Sequence, residues 1–177
     1  MNNNKHIGLI GDIWECNKEK IYKFANLPEN RKMEHRNIIL QSDEFNPPCQ
    51  AFSTAGNRKG FEDARGDVFI KYLEIIGEIK PKYAVIENVR GLLTTEASLE
   101  DTKGIPVKGG VLHYAQQKLE SFGYTVSFEL YNAANFGAPQ KRERFVIIAK
   151  LGNEKVPYLT PTHSENGEFG LEKWVTL

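Results

Sequence analysis

The sequence predicts an α/β fold, in which short strands alternate with amphipathic helices along the chain. Two apolar runs, at residues 38–40 and 83–86, have the length of buried strands. Between them, residues 63–79 place apolar side chains at the spacing of a half-buried helix. Because a helix carries the chain back to the edge where the preceding strand began, this alternation favours parallel strands.

The N-terminal part of the chain is predicted to contain a strand at residues 7–10, a helix at 15–26 and a strand at 37–41. Pro28 ends the helix, since its ring prevents helical continuation. The second strand runs through polar residues 42–46 into a proline pair.

The rest of the chain continues the same alternation. The predicted elements are a strand at 83–87, a loop at 90–110, a helix at 111–122 and strands at 124–131 and 144–150. Gly123 takes the position after the helix where left-handed backbone favours glycine. The polar loop is long enough to be predicted as a mobile cover, and the tail from Leu151 is predicted to be loop-like.

Composition bounds the organisation of the chain. A length of 177 residues predicts a single domain, residues 1–177, that can bury roughly 70% of its unfolded surface. Lys and Arg number 23 and Asp and Glu number 23, which gives no formal net charge. Since phosphate neutralisation supplies most non-specific affinity for nucleic acids, the chain alone is predicted to bind a polyanion weakly.

Cysteine usage and hydropathy indicate the compartment. Cys16 and Cys49 are the two cysteines, too few for a disulfide framework and without Cys or His neighbours at zinc spacing. We therefore expect free thiols, no metal and a cytoplasmic location. No apolar run approaches the ~18 residues of a membrane span, so no membrane partner is expected.

Cys49 stands in the motif Pro47-Pro48-Cys49-Gln50. A single cysteine is more often a small buried apolar residue than a reactive one. Two prolines change that expectation, because they fix φ and present the thiol rigidly. The motif also follows a predicted strand, and ligands of open α/β sheets bind outside the carboxyl ends of strands.

Two further motifs follow in order. Glu87-Asn88-Val89 ends a predicted strand, where a carboxylate must be paired or used, because burying it alone costs several kcal/mol. A structural salt bridge is the alternative interpretation for Glu87. In Gln140-Lys141-Arg142-Glu143-Arg144, both arginines would share one face of a strand and suit phosphate, carbonyl or carboxylate recognition. A solvated edge strand is the alternative there.

These three motifs together resemble those of the DNA (cytosine-5)-methyltransferases. The resemblance runs from about Gly11 to the C-terminus and includes residues 61–66 and 161–164. It implies a Rossmann-like class I methyltransferase sheet with flanking helices. It also implies S-adenosyl-L-methionine as methyl donor and double-stranded DNA as substrate.

The resemblance assigns four catalytic residues. Cys49 would be the nucleophile that adds to carbon 6 of cytosine, a step that breaks the aromaticity of the ring. A free thiol has a pKa of about 8.5, so the site must help it ionise. Glu87 would engage the pyrimidine N3 as a proton-sharing acid. One of the two arginines, Arg144 in preference to Arg142, would reach O2, while Gln140 and Arg142 would support the loop and backbone.

The resemblance also implies the binding residues. Asp12 and Ile13 would bond and pack the cofactor adenine, with Pro47 beside the same cofactor. A base inside a duplex cannot be reached, so the enzyme must extrude it, and mobile loop residues assist.

Six residues are expected to contact DNA or support that contact. Ser53 would contact a phosphate, and Asn88 would also position the turn after its strand. The full set is Gln50, Ser53, Arg58, Lys59, Asn88 and Gln140.

The sequence departs from the family in two places. It lacks the Gly-rich Phe-x-Gly-x-Gly turn that cradles the cofactor, and it lacks the target recognition domain. We therefore expect an incomplete sheet, with residues 1–35 rearranged, poorly ordered or completed by another chain. The chain would be a fragment or one subunit of a split enzyme with a complementing methyltransferase chain.

Two other functions can be weighed against this one. The chain could be an inactive remnant that only binds nucleic acid or a partner, and such a remnant should bind no cofactor. A thiol hydrolase using Cys49 is disfavoured, because none of the four histidines, His6, His35, His113 and His163, has a motif context.

Overall fold

The computed structural model of the chain describes residues 18–24, 39–41, 64–98, 103 and 105–176. The predicted strand at 7–10 and most of the predicted rearrangement at 1–35 lie outside these residues. Among the described residues, no helix is both long and apolar enough to cross a membrane.

The described elements form a mixed α/β arrangement. The helices are α1 (Lys18–Phe24), α2 (Ala64–Ile79) and α3 (Gly110–Ser121). The strands are β1 (Ile39–Gln41), β2 (Tyr83–Asn88), β3 (Ala97–Ser98), β4 (Pro106–Val107), β5 (Tyr124–Asn132), β6 (Glu143–Leu151), β7 (His163–Ser164) and β8 (Glu172–Lys173). Short 3₁₀ turns occupy Arg90–Thr94, Ala133–Phe136 and Glu168–Gly170.

Most predicted elements are confirmed. The helices α2 and α3 and the strands β2, β5 and β6 match their predicted bounds to within one residue at each end. The structure confirms the first helix over Lys18–Phe24 and the strand before the proline pair over Ile39–Gln41. Gly123 follows α3 with a φ of 92°, as expected for a glycine that ends a helix.

The main sheet has the strand order β1-β2-β6-β5. Strand β1 is parallel to β2, whereas β6 is antiparallel to both β2 and β5. The α/β class is confirmed, but the expectation of parallel strands fails for β6. The reason is the connection: β5 and β6 are joined by a turn and loop at residues 133–142 without a returning helix, which produces an antiparallel pair.

One face of the sheet packs against α2 and α3. Ala84 and Ile86 of β2 alternate with half-exposed neighbours, as do Phe145 and Ile147 of β6. These side chains join Phe69, Leu73, Ile76, Val111 and Leu119 of the two helices in one buried cluster. The intervening residues of both strands therefore point to the opposite face.

The segment predicted as a mobile loop contains secondary structure in its described parts, so the prediction of a loop is wrong for Arg90–Thr94, Ala97–Ser98 and Pro106–Val107. Leu92 and Thr95 are fully buried, and the Thr95 hydroxyl donates a hydrogen bond to the Gly91 carbonyl at 2.9 Å. Ala97 pairs with Val107 in a short antiparallel ladder. The buried side chains of Leu92 and Ala97 anchor this largely polar segment to the rest of the domain.

The tail after β6 crosses the second face beside β5. The Thr125 hydroxyl donates to the Gly152 carbonyl at 2.6 Å, and the Ser127 hydroxyl donates to the Val156 carbonyl at 2.7 Å. The Leu159 backbone N–H then donates to the Tyr131 hydroxyl at 3.1 Å. The tail has little regular structure, as predicted, but it returns along β5 toward the turn at Ala133–Phe136.

Gly110 allows α3 to begin in contact with β3. A Cβ at this position would lie 2.4 Å from the Ala97 carbonyl oxygen, closer than real Cβ contacts. We expect Gly110→Ala to lower the free energy of unfolding by about 1–3 kcal/mol, because β3 must separate from α3. Urea unfolding measures this change. Gln117→Ala on the exposed face of α3 is the control, expected within about 0.5 kcal/mol of wild type; equal unfolding midpoints for the two variants would contradict the prediction.

Candidate active site at the carboxyl end of β2

An ion pair joins the end of β2 to the start of β6. Glu87 is opposite Val146 in the ladder, and Arg144 lies two residues earlier on the same face of β6. The Arg144 Nε and the Glu87 Oε1 are 2.5 Å apart, and the two side chains are 27% and 28% exposed. The antiparallel direction of β6 is what brings these residues, distant in sequence, to one end of the sheet.

The guanidinium of Arg144 is held by a second contact. Its Nη1 donates to the backbone carbonyl of Glu143 at 2.9 Å. The salt bridge that was the alternative interpretation for Glu87 is therefore formed. Its partner, Arg144, is the arginine that the resemblance assigns to the cytosine ring that Glu87 would also contact. The pair is compatible with a structural role and with presenting a carboxyl and a guanidinium together to a ligand.

Arg142 occupies a different position from Arg144. It precedes β6 and is exposed, and no ion pair joins it to Glu87 among the described residues. Its backbone N–H donates to the Asn132 Oδ1 at 3.2 Å, and its carbonyl accepts from the Ala133 N–H at 2.9 Å. Gln140 is also exposed, in the loop before the strand. Arg142 therefore lies one residue before the strand, and the sharing of one strand face by the two arginines stays a prediction.

Sequence reasoning missed a second ion pair at this end of the sheet. The Arg90 Nη1 and the Glu143 Oε2 are 3.0 Å apart, with side chains that are 68% and 46% exposed. Two signals could have indicated it. Arg90 directly follows Glu87-Asn88-Val89, and Glu143 separates the two arginines of the other motif.

Asn88 lies on the helix-packed face, opposite to Glu87, and is 2% exposed. Its Oδ1 accepts a hydrogen bond from the Val89 N–H at 2.8 Å, while its Nδ2 has no partner in the described part of the chain. This geometry favours the role of positioning the turn after β2. A contact with DNA would require the side chain to leave the core.

Eight of the predicted site residues lie outside the described residues: Asp12, Ile13, Pro47, Cys49, Gln50, Ser53, Arg58 and Lys59. The sheet constrains where the segment that follows β1, and contains Pro47 to Lys59, is attached. Gln41, the last residue of β1, pairs in parallel with Val85, so β1 and β2 end at the same edge. The chain that leads to Pro47 is therefore covalently tied to the edge at which Glu87 lies. No group of His, Cys, Asp or Glu side chains that could hold a metal ion occurs within the described ranges.

The mixed sheet, with an antiparallel strand, helices on one face and a carboxyl–guanidinium pair at the carboxyl end of β2, has the α/β architecture of class I methyltransferases. The family model for C-5 cytosine-specific DNA methylase matches residues 9–173. The chain belongs to this family.

Relatives and a solved structure agree with this assignment. Orphan methyltransferase M.SPRI of Bacillus phage SPR is 43% identical over 101 residues, which cover 57% of this chain and 20% of that protein. Type II methyltransferase M.AquIA of Picosynechococcus sp. is 35% identical over 145 residues, which cover 74% of this chain and 56% of that protein. The Entamoeba histolytica methyltransferase EhMeth has the same fold, with a TM-score of 0.52 at 16% identity over 95% of this chain and 42% of that one. The chain thus spans between 20% and 56% of the length of these two relatives.

The Glu87–Arg144 pair should contribute measurably to stability. In a double-mutant cycle with Glu87→Gln and Arg144→Gln, we expect a coupling free energy of about 1 kcal/mol, because both side chains are partly shielded from water. Urea unfolding of the four proteins measures it. The exposed Lys141–Glu165 pair, whose atoms are 2.6 Å apart, is the control and should couple by less than about 0.5 kcal/mol. Equal coupling in the two pairs would show that shielding has no effect.

Proposed function

We propose that this chain carries the catalytic half of a DNA cytosine-C5 methyltransferase, as a fragment or as one subunit of a split enzyme. Family membership supports the class of reaction. The observation that carries the proposal furthest is the contact between Arg144 and Glu87 at the carboxyl end of β2. This contact supports the proposal, because it joins the two side chains to which we assign the roles of acid and guanidinium, at the edge to which the Cys49 segment is tied.

The chemistry begins with the thiolate of Cys49. Carbon 5 of cytosine is a poor nucleophile, because its electrons belong to the aromatic ring. When the thiolate adds to carbon 6, a carbon–sulfur bond forms and the displaced electron pair raises the electron density at carbon 5 and N3. Glu87 shares a proton with N3, and Arg144 donates to O2, so that the added negative charge is stabilised where it develops.

The cofactor and the release step complete the reaction. When bound, S-adenosylmethionine supplies an electrophilic methyl group to carbon 5. Asp12, Ile13 and Pro47 would hold it, and the shared edge of β1 and β2 is where α/β sheets bind such ligands. Loss of the carbon-5 proton to a base then returns its electron pair to the ring and expels the Cys49 thiolate.

We assign DNA binding to residues that follow Cys49 in the sequence. The target base must leave the duplex, at a cost of a few kcal/mol of unstacking. Ser53, Arg58 and Lys59 would contact the backbone and follow the flipped base. The absence of net charge means that these local cations, rather than the chain as a whole, must attract the DNA.

The direct test is transfer of labelled methyl groups from S-adenosylmethionine to mixed-sequence DNA, with the chain alone and with lysate of the source organism. Activity of the chain alone would support the reaction, but it would contradict the proposal that the chain is only half of the enzyme, because the cofactor site would then be built without the Gly-rich turn. Activity only with lysate would support a split enzyme. Silence in both would overturn the proposal and favour an inactive remnant.

DNA containing 5-fluorocytosine tests the covalent step. The reaction contains S-adenosylmethionine, with lysate where the first test requires it. Once carbon 5 of 5-fluorocytosine has been methylated, it carries fluorine in place of the proton that must leave, so the thiolate cannot be expelled and the protein–DNA adduct should persist on a denaturing gel. We expect the adduct with wild type and with the control Cys16→Ser, and none with Cys49→Ser. Glu87→Gln should slow adduct formation by roughly 10²- to 10⁴-fold, the usual contribution of an acid or base catalyst. An adduct that survives Cys49→Ser would contradict the mechanism.

A further inference from the structure

Arg144 lies just past the end of the β2–β6 ladder. The last pair of that ladder is Asn88 with Phe145, so Glu87 is inside the ladder while Arg144 is one place beyond it. Ends of strands open more readily than their centres. The backbone at Arg144, which carries the guanidinium, is therefore not joined to β2 by hydrogen bonds of the ladder.

The Arg90–Glu143 ion pair continues the register beyond that end. Counting two places past the last ladder pair along each strand brings Arg90 opposite Glu143. Their side chains meet there at 3.0 Å, although Arg90 already belongs to the 3₁₀ turn after β2. A charge–charge contact thus joins the two chains where the backbone pairing has stopped.

Glu143 is linked to the site through its backbone as well. Its carbonyl accepts the hydrogen bond from the Arg144 Nη1 at 2.9 Å, so a shift of Glu143 moves the group that orients the guanidinium. On the other side, Glu143 pairs with Asn132 of β5, whose Oδ1 accepts from the Arg142 N–H. The start of β6 is therefore held to β5 by the backbone, and Arg90 joins it to the 3₁₀ turn that follows β2.

We propose that Arg90 and Glu143 are a positioning pair, which holds Arg144 against Glu87 by closing the open end of the β2–β6 ladder. Neither residue is proposed to touch the substrate. The geometric part is independent of activity, whereas the consequence for catalysis rests on the proposed function.

The test is the solvent exchange rate of the Arg144 Nε proton, measured by nuclear magnetic resonance on the full chain and assigned by its loss in Arg144→Lys. Arg90→Gln and Glu143→Gln each remove the ion pair, and the second leaves the Glu143 carbonyl in place. An exposed pair is weak, so we expect exchange to become about two- to fivefold faster in both variants. The swapped protein with Arg90→Glu and Glu143→Arg should return to the wild-type rate.

Salt and a neighbouring pair supply the controls. At 1 M salt the Debye length falls to about 3 Å, so wild type and Arg90→Gln should then exchange at the same rate. Lys141→Gln removes the exposed contact with Glu165 near the same loop and should leave the Arg144 proton unchanged. Unchanged exchange in both Arg90→Gln and Glu143→Gln would overturn the proposal, as would a swapped protein that stays as fast as the single variants.

Adduct formation with 5-fluorocytosine DNA then separates positioning from general loosening. A positioning role predicts a slower rate at saturating DNA, with the DNA concentration for half-maximal rate unchanged, and recovery in the swapped protein. A change confined to that concentration would contradict the catalytic part of the proposal. If wild type forms no adduct, the proposed function fails, while the exchange result still decides the geometry.

Discussion

The antiparallel insertion of β6 between β2 and β5 is the constraint on which the site depends. It reverses the direction of one strand, so that β6 begins at the edge where β2 ends. Without that reversal, Arg144 and Glu87 would lie at opposite ends of the sheet. The buried cluster formed with α2 and α3 then fixes which face the pair occupies, because alternation leaves Glu87 and Arg144 opposite to the helices.

The same end of the sheet is held by contacts of different strength. Backbone pairing with β5 extends to Glu143, whereas pairing with β2 stops at Phe145. Asn132 accepts hydrogen bonds from the N–H groups of Ala134 and Arg142, and so joins the end of β5 to the chain just before β6. The side of β6 that faces β5 is thus secured by backbone and amide hydrogen bonds, and the side that faces β2 is secured beyond the ladder by an exposed ion pair.

Sequence pattern predicted the helices and long strands well, because apolar spacing alone determines which faces can be buried. It did not predict the direction of β6, since direction depends on whether a helix covers the returning connection. It also missed the secondary structure around Leu92 and Ala97, because this segment has few apolar residues and most of its residues are polar. At the site, Glu87 and Arg144 were found from their motifs, but Arg90 was not, because its partner is set by register and not by spacing. The Cys49 segment lies outside the described residues and stays a prediction.

The return of the tail along β5 has a consequence for how such a domain can vary over evolution. Residues 152–159 carry the chain back to the level of Tyr131, and the Thr162 N–H and the Trp174 Nε1 then bond to Asn135 at the site end of the sheet. The buried cluster formed with α2 and α3 lies on the other face, and Val156 is the buried apolar residue of this stretch. Insertions in this stretch, away from Val156, are therefore compatible with an unchanged packing of α2 and α3 on the sheet.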